Sequence, residues 1–162
     1  MKHCHSVLVA LLIVALCRAD ELPKTADAEP FVHQLVLSLL DDRHPINFPV
    51  ADPVFAMDTG QLLTKAEFEK AWPSLGKEAF KTKVSAEQFF RDVSLRVSSA
   101  LDNKRLLSNK RLMQAYTPQV GDLYCDASQV KAGVDDFIAY KKAFLFIIRN
   151  LDGKWTLIGI GG

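Results

Sequence analysis

The stretch FLFIIRNLDGKWTLIGI, residues 144–160, decides the fold of this chain. Aromatic and β-branched residues dominate on both sides of its central Asn-Leu-Asp-Gly, a composition typical of two strands joined by a tight turn. We therefore predict an antiparallel hairpin between Phe137–Arg149 and Trp155–Ile160, with a bulged turn in which Gly153 supplies a positive φ. Residues 144–148 are all apolar, which predicts a central strand covered on both faces. We expect helices on one face, and either a pocket or a partner chain on the other.

The segment before this hairpin predicts more β structure. Leu112–Tyr116 and Val120–Cys125 are rich in the residues that favour strands. Asn-Lys-Arg-Leu occurs at residues 103–106 and again at 109–112. Because this spacing is even, both copies would face the same side of a strand, and we expect their basic pairs to form a solvated strand edge.

The first half of the chain predicts a helix followed by a short hairpin. Apolar residues with helical spacing follow Glu29, with Asp27 as a cap, and His44-Pro45 ends the helix. Two short apolar runs between residues 54 and 63 then flank Asp-Thr-Gly-Gln, which predicts a hairpin with Gly60 in its turn.

Two capping boxes predict two further helices. The two boxes are Thr64-x-x-Glu67 and Ser85-x-x-Gln88. In each, the side chain of the first residue accepts a hydrogen bond from the backbone N–H of the last, and the side chain of the last accepts one from the backbone N–H of the first. A hydrophobic staple accompanies each box. We expect the first of these helices to end or kink at Trp72-Pro73, since proline lacks the N–H that continues a helix. We expect the second to extend to about Val97, although residues 93–97 also alternate like a strand.

The N-terminal residues have the layout of a secretory signal peptide. A basic residue precedes the apolar run Val7–Leu16, and small residues precede a cut between Ala19 and Asp20. The run is half of the ~20 apolar residues that span a bilayer, so cleavage is favoured over an uncleaved anchor or a lipid on Cys17. We predict three segments: a signal peptide over residues 1–19, a flexible leader over 20–28 and a single α+β domain over 29–162. The localisation that follows is secreted or periplasmic, without membrane association after cleavage.

Charge and cysteine content narrow the function classes. After Ala19 the chain keeps 18 of its 20 Lys and Arg against 19 Asp and Glu, so bulk charge draws it neither to nucleic acid nor to an anionic membrane. Two of the three cysteines precede Asp20. The remaining Cys125 has no partner for an intrachain disulfide, and we predict a buried thiol within a strand.

A family resemblance follows from the order of these motifs. The order comprises two helices, a short hairpin with Asp-Thr-Gly, a capped helix of the type Leu-Thr-Lys-Ala-Glu-Phe, and long strands ending in Asp-Gly-Lys-Trp-Thr-Leu. This order resembles the nuclear transport factor 2-like superfamily, in its SnoaL-like and ketosteroid-isomerase-like branches, over Val54–Trp72 and Ala139–Ile160. The resemblance implies an α+β fold in which N-terminal helices pack on a curved antiparallel sheet, a cone-shaped α+β barrel that is often dimeric through its sheet. It also implies a cavity. Members include isomerases, cyclases, dehydratases and proteins that catalyse no reaction, so the resemblance implies the cavity without specifying a reaction.

Four residues are candidates for acid–base chemistry in such a cone: His33, Asp58, Tyr116 and Asp126. His33 is the leading one, because it lies on the first helix beside Phe31 and Val32, where burial would keep water away. Each candidate also has a structural interpretation, and Asp58 in particular starts a turn, where aspartate is common.

Metal and cofactor motifs are absent from the sequence. It contains no His-Glu-x-x-His, no Cys-x-x-Cys and no acidic calcium loop. The acid–histidine group Asp41, Asp42 and His44 is explained by a solvated helix end, where the basic neighbours offset the carboxylates. We therefore predict no cofactor and no metal.

The function expected from the sequence is binding of a small apolar or amphipathic ligand, or of a partner chain. Two alternatives stay open. One is an enzyme of the isomerase, cyclase or dehydratase type, and the other is a homodimer formed through the sheet with a filled cone.

Overall fold

The computed structural model describes residues 25–40, 46–79, 85–130 and 144–161. Its helices are α1 (Thr25–Leu40), α2 (Lys65–Ala79), α3 (Ala86–Asp92), α4 (Lys104–Leu107) and α5 (Lys110–Ala115). Its strands are β1 (Val50–Ala56), β2 (Gln61–Leu63), β3 (Val93–Ser99), β4 (Leu123–Val130), β5 (Phe144–Leu151) and β6 (Lys154–Gly161). The predicted α+β class is confirmed.

The strands form one sheet in the order β2-β1-β6-β5-β4-β3. Neighbouring strands are antiparallel except for β1 and β6, which are parallel. The sheet is therefore mixed, and the prediction of a purely antiparallel sheet is wrong. Over the described ranges β2 and β3 are its two edges, and the sheet does not close into the predicted barrel.

The hairpin expected from residues 144–160 is confirmed. Leu151 lies opposite Lys154, which leaves Asp152 and Gly153 as a two-residue turn with φ of 51° and 80°. Two positive φ values match the twist of the flanking strands, so the turn itself contains no bulge. The register shift lies instead between residues 147 and 148. The predicted strand residues before Phe144 lie outside the described ranges.

β5 is buried on both faces, as its apolar run predicts. On the first face of the sheet, Cys125, Phe146 and Leu157 belong to one core cluster with apolar residues of three helices. These helical residues are Val32, Leu35 and Val36 of α1, Phe68 and Trp72 of α2, and Phe89 of α3. On the second face, Tyr124 and Ile147 belong to a smaller cluster with buried leucines of α4 and α5.

α1 begins earlier than the sequence predicts. Its first residue is Thr25, inside the expected leader, and Ala28 is already fully buried. Asp27 therefore lies in the first turn instead of capping the helix. The predicted stop at His44-Pro45, like the cluster of residues 41–44, lies outside the described ranges, where α1 is seen to Leu40.

The capping box before α2 is confirmed, and the predicted end of the helix at Trp72-Pro73 is wrong. The Glu67 amide donates to the Thr64 hydroxyl at 3.3 Å, and the Thr64 amide donates to the Glu67 carboxylate at 2.8 Å. Hydrogen bonds from Thr64 lower the pKa of Glu67. The helix continues through Pro73 to Ala79, because the buried Trp72 anchors it with an indole N–H bond of 3.0 Å to Ser38 of α1. This packing outweighs the loss of one helical hydrogen bond.

The second capping box begins a helix, as predicted, but the predicted end of that helix near Val97 is wrong. The Gln88 amide donates to the Ser85 hydroxyl at 3.1 Å. α3 ends at Asp92, and Val93 already has extended backbone angles. The alternating residues 93–97 pair with β4 instead of continuing the helix, so sheet pairing overrides the helical pattern.

The repeated Asn-Lys-Arg-Leu forms two capped helices, so the predicted strand Leu112–Tyr116 and the predicted basic strand edge are wrong. The Leu106 amide donates to the Asn103 side chain at 2.9 Å, and the Leu112 amide donates to the Asn109 side chain at 3.1 Å. Asparagine at an N-cap outweighs the strand preference of the apolar residues that follow. The predicted strand Val120–Cys125 begins only at Leu123.

Candidate functional site

β3 leaves one side of its backbone free among the described residues. It is the last strand of the sheet and pairs with β4 alone. The Ala100 amide donates to the Asp122 carbonyl at 2.9 Å at the end of this ladder. Because hydrogen-bonded pairs alternate along an antiparallel ladder, Arg96 and Ser98 bond to β4, whereas the N–H and C=O of Val97 point away from the sheet.

A groove of about 650 Å³ follows this free edge. It is lined by the consecutive residues Leu95, Arg96, Val97 and Ser98, together with residues of both faces of the sheet. Successive residues of a strand point to opposite faces. A single cavity that touches all four therefore opens at the edge of the strand and not over one face. We call it the β3 groove.

The apolar side of the β3 groove continues into a second cavity of about 360 Å³. Val32 of α1 and Val93, Leu95 and Val97 of β3 line it. Its wall is a parallel stack of His33 on Phe90, with ring centroids 4.2 Å apart and an interplanar angle of 6°. The two cavities share Glu29, Leu95 and Val97 as lining residues.

The polar side of the β3 groove is lined by Arg96, Arg105, Tyr124 and Asp126, which we call the edge cluster. Arg105 donates to the Asp126 carboxylate at 3.2 Å, and the Arg105 side chain is 63% exposed. Arg96 is exposed and has no ion pair within the described part of the chain. Tyr124 is 3% exposed, yet among the described residues its hydroxyl has no hydrogen-bond partner. Burial, with the charge of Asp126, raises the pKa of Tyr124, so the hydroxyl keeps its proton and remains a donor.

A second polar cluster, formed by Tyr116, Asp122 and Arg149, lies in the core, and we call it the core cluster. Arg149 binds the Asp122 carboxylate with two bonds of 2.6 and 2.8 Å. The Tyr116 hydroxyl donates to the same carboxylate at 2.5 Å, and the Gln119 amide at 2.9 Å. Burial, with the Asp122 carboxylate, raises the pKa of Tyr116 well above its usual range. Four donors saturate the carboxylate, so the core cluster ties the 116–122 loop to β5 and offers no free group to a ligand.

The four predicted acid–base candidates are not brought together. His33 is exposed, so its expected burial is wrong, because it lies on the outer side of α1 against Phe90. Asp58 is exposed in the turn between β1 and β2. Tyr116 is bound to Asp122, and Asp126 belongs to the edge cluster. His33 lines only the smaller cavity and Asp126 only the larger one, and the other two line neither.

Sequence reasoning missed Asp122, Arg96, Arg105 and Arg149 as site residues. Arg149 had a usable signal, since a charge directly after an apolar run on a central strand needs a buried partner. The identity of that partner depends on the fold, because Asp122 lies 27 residues earlier in the chain.

Three further observations concern the burial of the Cys125 thiol, groups of metal ligands and membrane-spanning helices. Cys125 lies in β4, is 1% exposed, and burial raises its pKa, which confirms the buried strand thiol. Within the described ranges, no three His, Cys, Asp or Glu side chains come close enough to hold a metal ion. No described helix has the length and apolar character to cross a membrane.

Comparisons with protein-family models, with curated proteins and with solved structures find no match to this chain.

Proposed function

We propose that this protein is an exported, non-catalytic binding domain that holds an amphipathic ligand or partner in the β3 groove. The observation that carries the proposal is a single cavity lined by Leu95, Arg96, Val97 and Ser98. Leu95 and Val97 lie on one side of it with Glu29, and the other side carries the edge cluster. Such a cavity accommodates a molecule that lies along the strand and contacts both sides of it.

The positions of the acid–base candidates support binding over catalysis. A general acid or base must reach the reacting group within hydrogen-bond distance, and it works best in a dry pocket that tunes its pKa. His33 and Asp58 are exposed, and Tyr116 is committed to Asp122. Asp126 is held by Arg105.

Membership in the nuclear transport factor 2-like superfamily, with a sheet curved into a cone, is part of the proposal. The order of a long helix, a short hairpin, a capped helix and a long terminal hairpin supports it. In this proposal the ligand site has moved from the inside of the cone to the edge of the sheet, because phenylalanine, leucine and isoleucine side chains fill both faces of the central strands.

Chemical-shift mapping tests the binding site. Octanoate, octylamine and octanol are titrated separately into the isotope-labelled chain, and we expect amide shifts confined to β3, residues 25–33 and residues 103–105. Leu95→Arg places a charge on the apolar side and should abolish these shifts. Leu62→Arg changes the same residue type on the opposite edge strand, where Leu62 is 58% exposed, and should leave them intact. Absent shifts, or shifts centred on β2, contradict the proposed site.

Export is tested by the mass of the protein recovered from outside a secreting host. We expect a chain that begins at Asp20, because the cut follows the small residues before it. A retained Met1 contradicts export, and an added diacylglycerol on Cys17 makes the protein a lipoprotein instead.

Dimerisation through the sheet is the second candidate function, and the free edge of β3 is the observation that favours it. Sedimentation velocity distinguishes the two candidates. We expect a monomer, and a dimer that the substitution Val97→Pro dissociates would establish the second candidate.

A further inference from the structure

We propose that β3 accepts an extended peptide as an additional strand, and that the side chains of this peptide alternate between acidic and apolar. This inference rests on the function proposed above and names the class of partner for the same groove.

The backbone of β3 is suited to strand addition. The outward N–H and C=O of Val97 offer the donor and acceptor that a new strand needs. Proteins usually protect such edges with proline, lysine or a bulge. β3 contains neither proline nor lysine, and its register shift lies between Ser94 and Arg96, before the regular stretch that ends at Ser99.

The apolar side of the groove selects apolar side chains. An added strand places every second side chain on the first face, against Val32, Val97 and the ring of Phe90. Glu29 lies at the same side, and no described residue forms an ion pair with it. Its carboxylate would repel an acidic side chain there, so the acidic residues are directed to the other face.

The polar side of the groove selects acidic side chains. The intervening side chains of the added strand meet Arg96, Arg105 and the hydroxyl of Tyr124, which no described residue hydrogen-bonds. Asp126 pairs with Arg105, so among the described residues that line this side, the charge of Arg96 and the hydroxyl donor of Tyr124 remain for a ligand. A glutamate or aspartate side chain satisfies both, since charged hydrogen bonds to guanidinium groups are the strong ones.

Charge argues against a second copy of this chain as the occupant. If β3 pairs antiparallel with β3 of another copy, the twofold axis brings equivalent faces together. Arg96 and Arg105 of both copies would then share one surface, where like charges oppose the contact. An acidic peptide meets no such repulsion.

The test measures binding of a fluorescent peptide, acetyl-Ser-Val-Glu-Val-Glu-Val-Ser-amide, which has the 7-residue length of β3. Val97→Pro removes the outward donor at a position where an edge strand tolerates proline, and we expect affinity to fall about 10-fold or more. Val97→Ala loses the side chain but keeps the N–H, and we expect a fall of less than about 3-fold. Equal losses in the two variants would mean that side chains alone hold the peptide, and would overturn strand addition.

N-methylated peptides repeat the test on the unaltered protein. One peptide carries methyl groups on alternate amides, and the other carries them on the remaining amides. In an added strand only every second N–H faces the neighbouring strand, so we expect only one of the two peptides to bind. Binding of both would overturn the inference.

Side-chain selection is tested with the same assay. Arg96→Gln should weaken binding about 3- to 10-fold, and added salt should remove this difference. Lys104→Gln, an exposed cation beside the groove that does not line it, is the matched control and should have no effect. Equal affinity for a peptide with lysine in place of glutamate contradicts the charge argument. If no peptide binds while octanoate still shifts the amides of β3, the inference is wrong and the proposed function is still supported. If neither the peptides nor octanoate bind, both are wrong.

Discussion

The core cluster and the edge cluster contain the same three kinds of side chain and differ in how completely these are paired. In the core cluster the Asp122 side chain is fully buried, and arginine, tyrosine and backbone donors saturate it. In the edge cluster the carboxylate of Asp126 holds Arg105, while Arg96 and the Tyr124 hydroxyl remain without a partner among the described residues.

This difference separates stability from binding capacity. A buried carboxylate must be fully hydrogen-bonded, because each unmet bond costs free energy of folding. The guanidinium group of Arg96 at the rim of the groove is exposed, so it carries a smaller penalty when unpaired, since water reaches it, and it remains available to a ligand. The core cluster therefore holds the fold together, and the edge cluster is the part that can recognise a partner.

The largest expected effect comes from removing the arginine of each cluster. Arg149→Met leaves the buried Asp122 without its cation and should lower the free energy of unfolding by about 3 kcal/mol. Arg105→Met removes a side chain that is 63% exposed, and should cost less than about 1 kcal/mol. Urea unfolding of both variants measures the difference. Similar losses of unfolding free energy in the two variants would contradict the distinction between a core cluster that stabilises the fold and an edge cluster that does not.

An intermediate effect comes from removing the tyrosine hydroxyls. Tyr116→Phe deletes a hydrogen bond to a buried carboxylate and should destabilise the protein by about 1.5–3 kcal/mol. Tyr124→Phe deletes a buried hydroxyl that lacks a partner within the described part of the chain, so we expect a change within about 0.5 kcal/mol or a gain in stability. Thermal unfolding of the two variants measures these changes in stability. A large loss of stability in Tyr124→Phe would contradict the description of this hydroxyl as unpaired within the described ranges.

The smallest expected effect concerns alkaline pH. Burial and a neighbouring carboxylate raise the pKa of both tyrosines, and the hydrogen bond to Asp122 raises the pKa of Tyr116 further. A pKa raised by folding gives stability that is present below the unfolded pKa of about 10 and is lost as pH rises above it. Tyr116→Phe should therefore flatten the decline of stability above this pH more than Tyr124→Phe does. Buried Cys125 adds a decline that begins near pH 8.5, common to both variants. Equal alkaline slopes in the two variants would contradict the comparison.

Local patterns predicted the terminal hairpin, the capping boxes and the buried Cys125, because each depends on residues close in sequence. The same kind of pattern failed at residues 93–97 and 112–116, where pairing with β4 and an asparagine cap decided between helix and strand. Asp126 was singled out from the sequence as a catalytic candidate. Its meeting with Arg105 and Arg96 depends on strand register and on the placement of α4, neither of which a single sequence specifies.

The most direct test follows the arginine side-chain Nε–H resonances while the acidic peptide is titrated into the purified chain. We expect the resonances of Arg96 and Arg105 to shift with saturable dependence on peptide, and that of Arg149 to stay fixed because Asp122 already holds it. Shifts of Arg149, or unchanged resonances of Arg96 and Arg105 at saturating peptide, would contradict the division between a structural core cluster and a binding edge cluster.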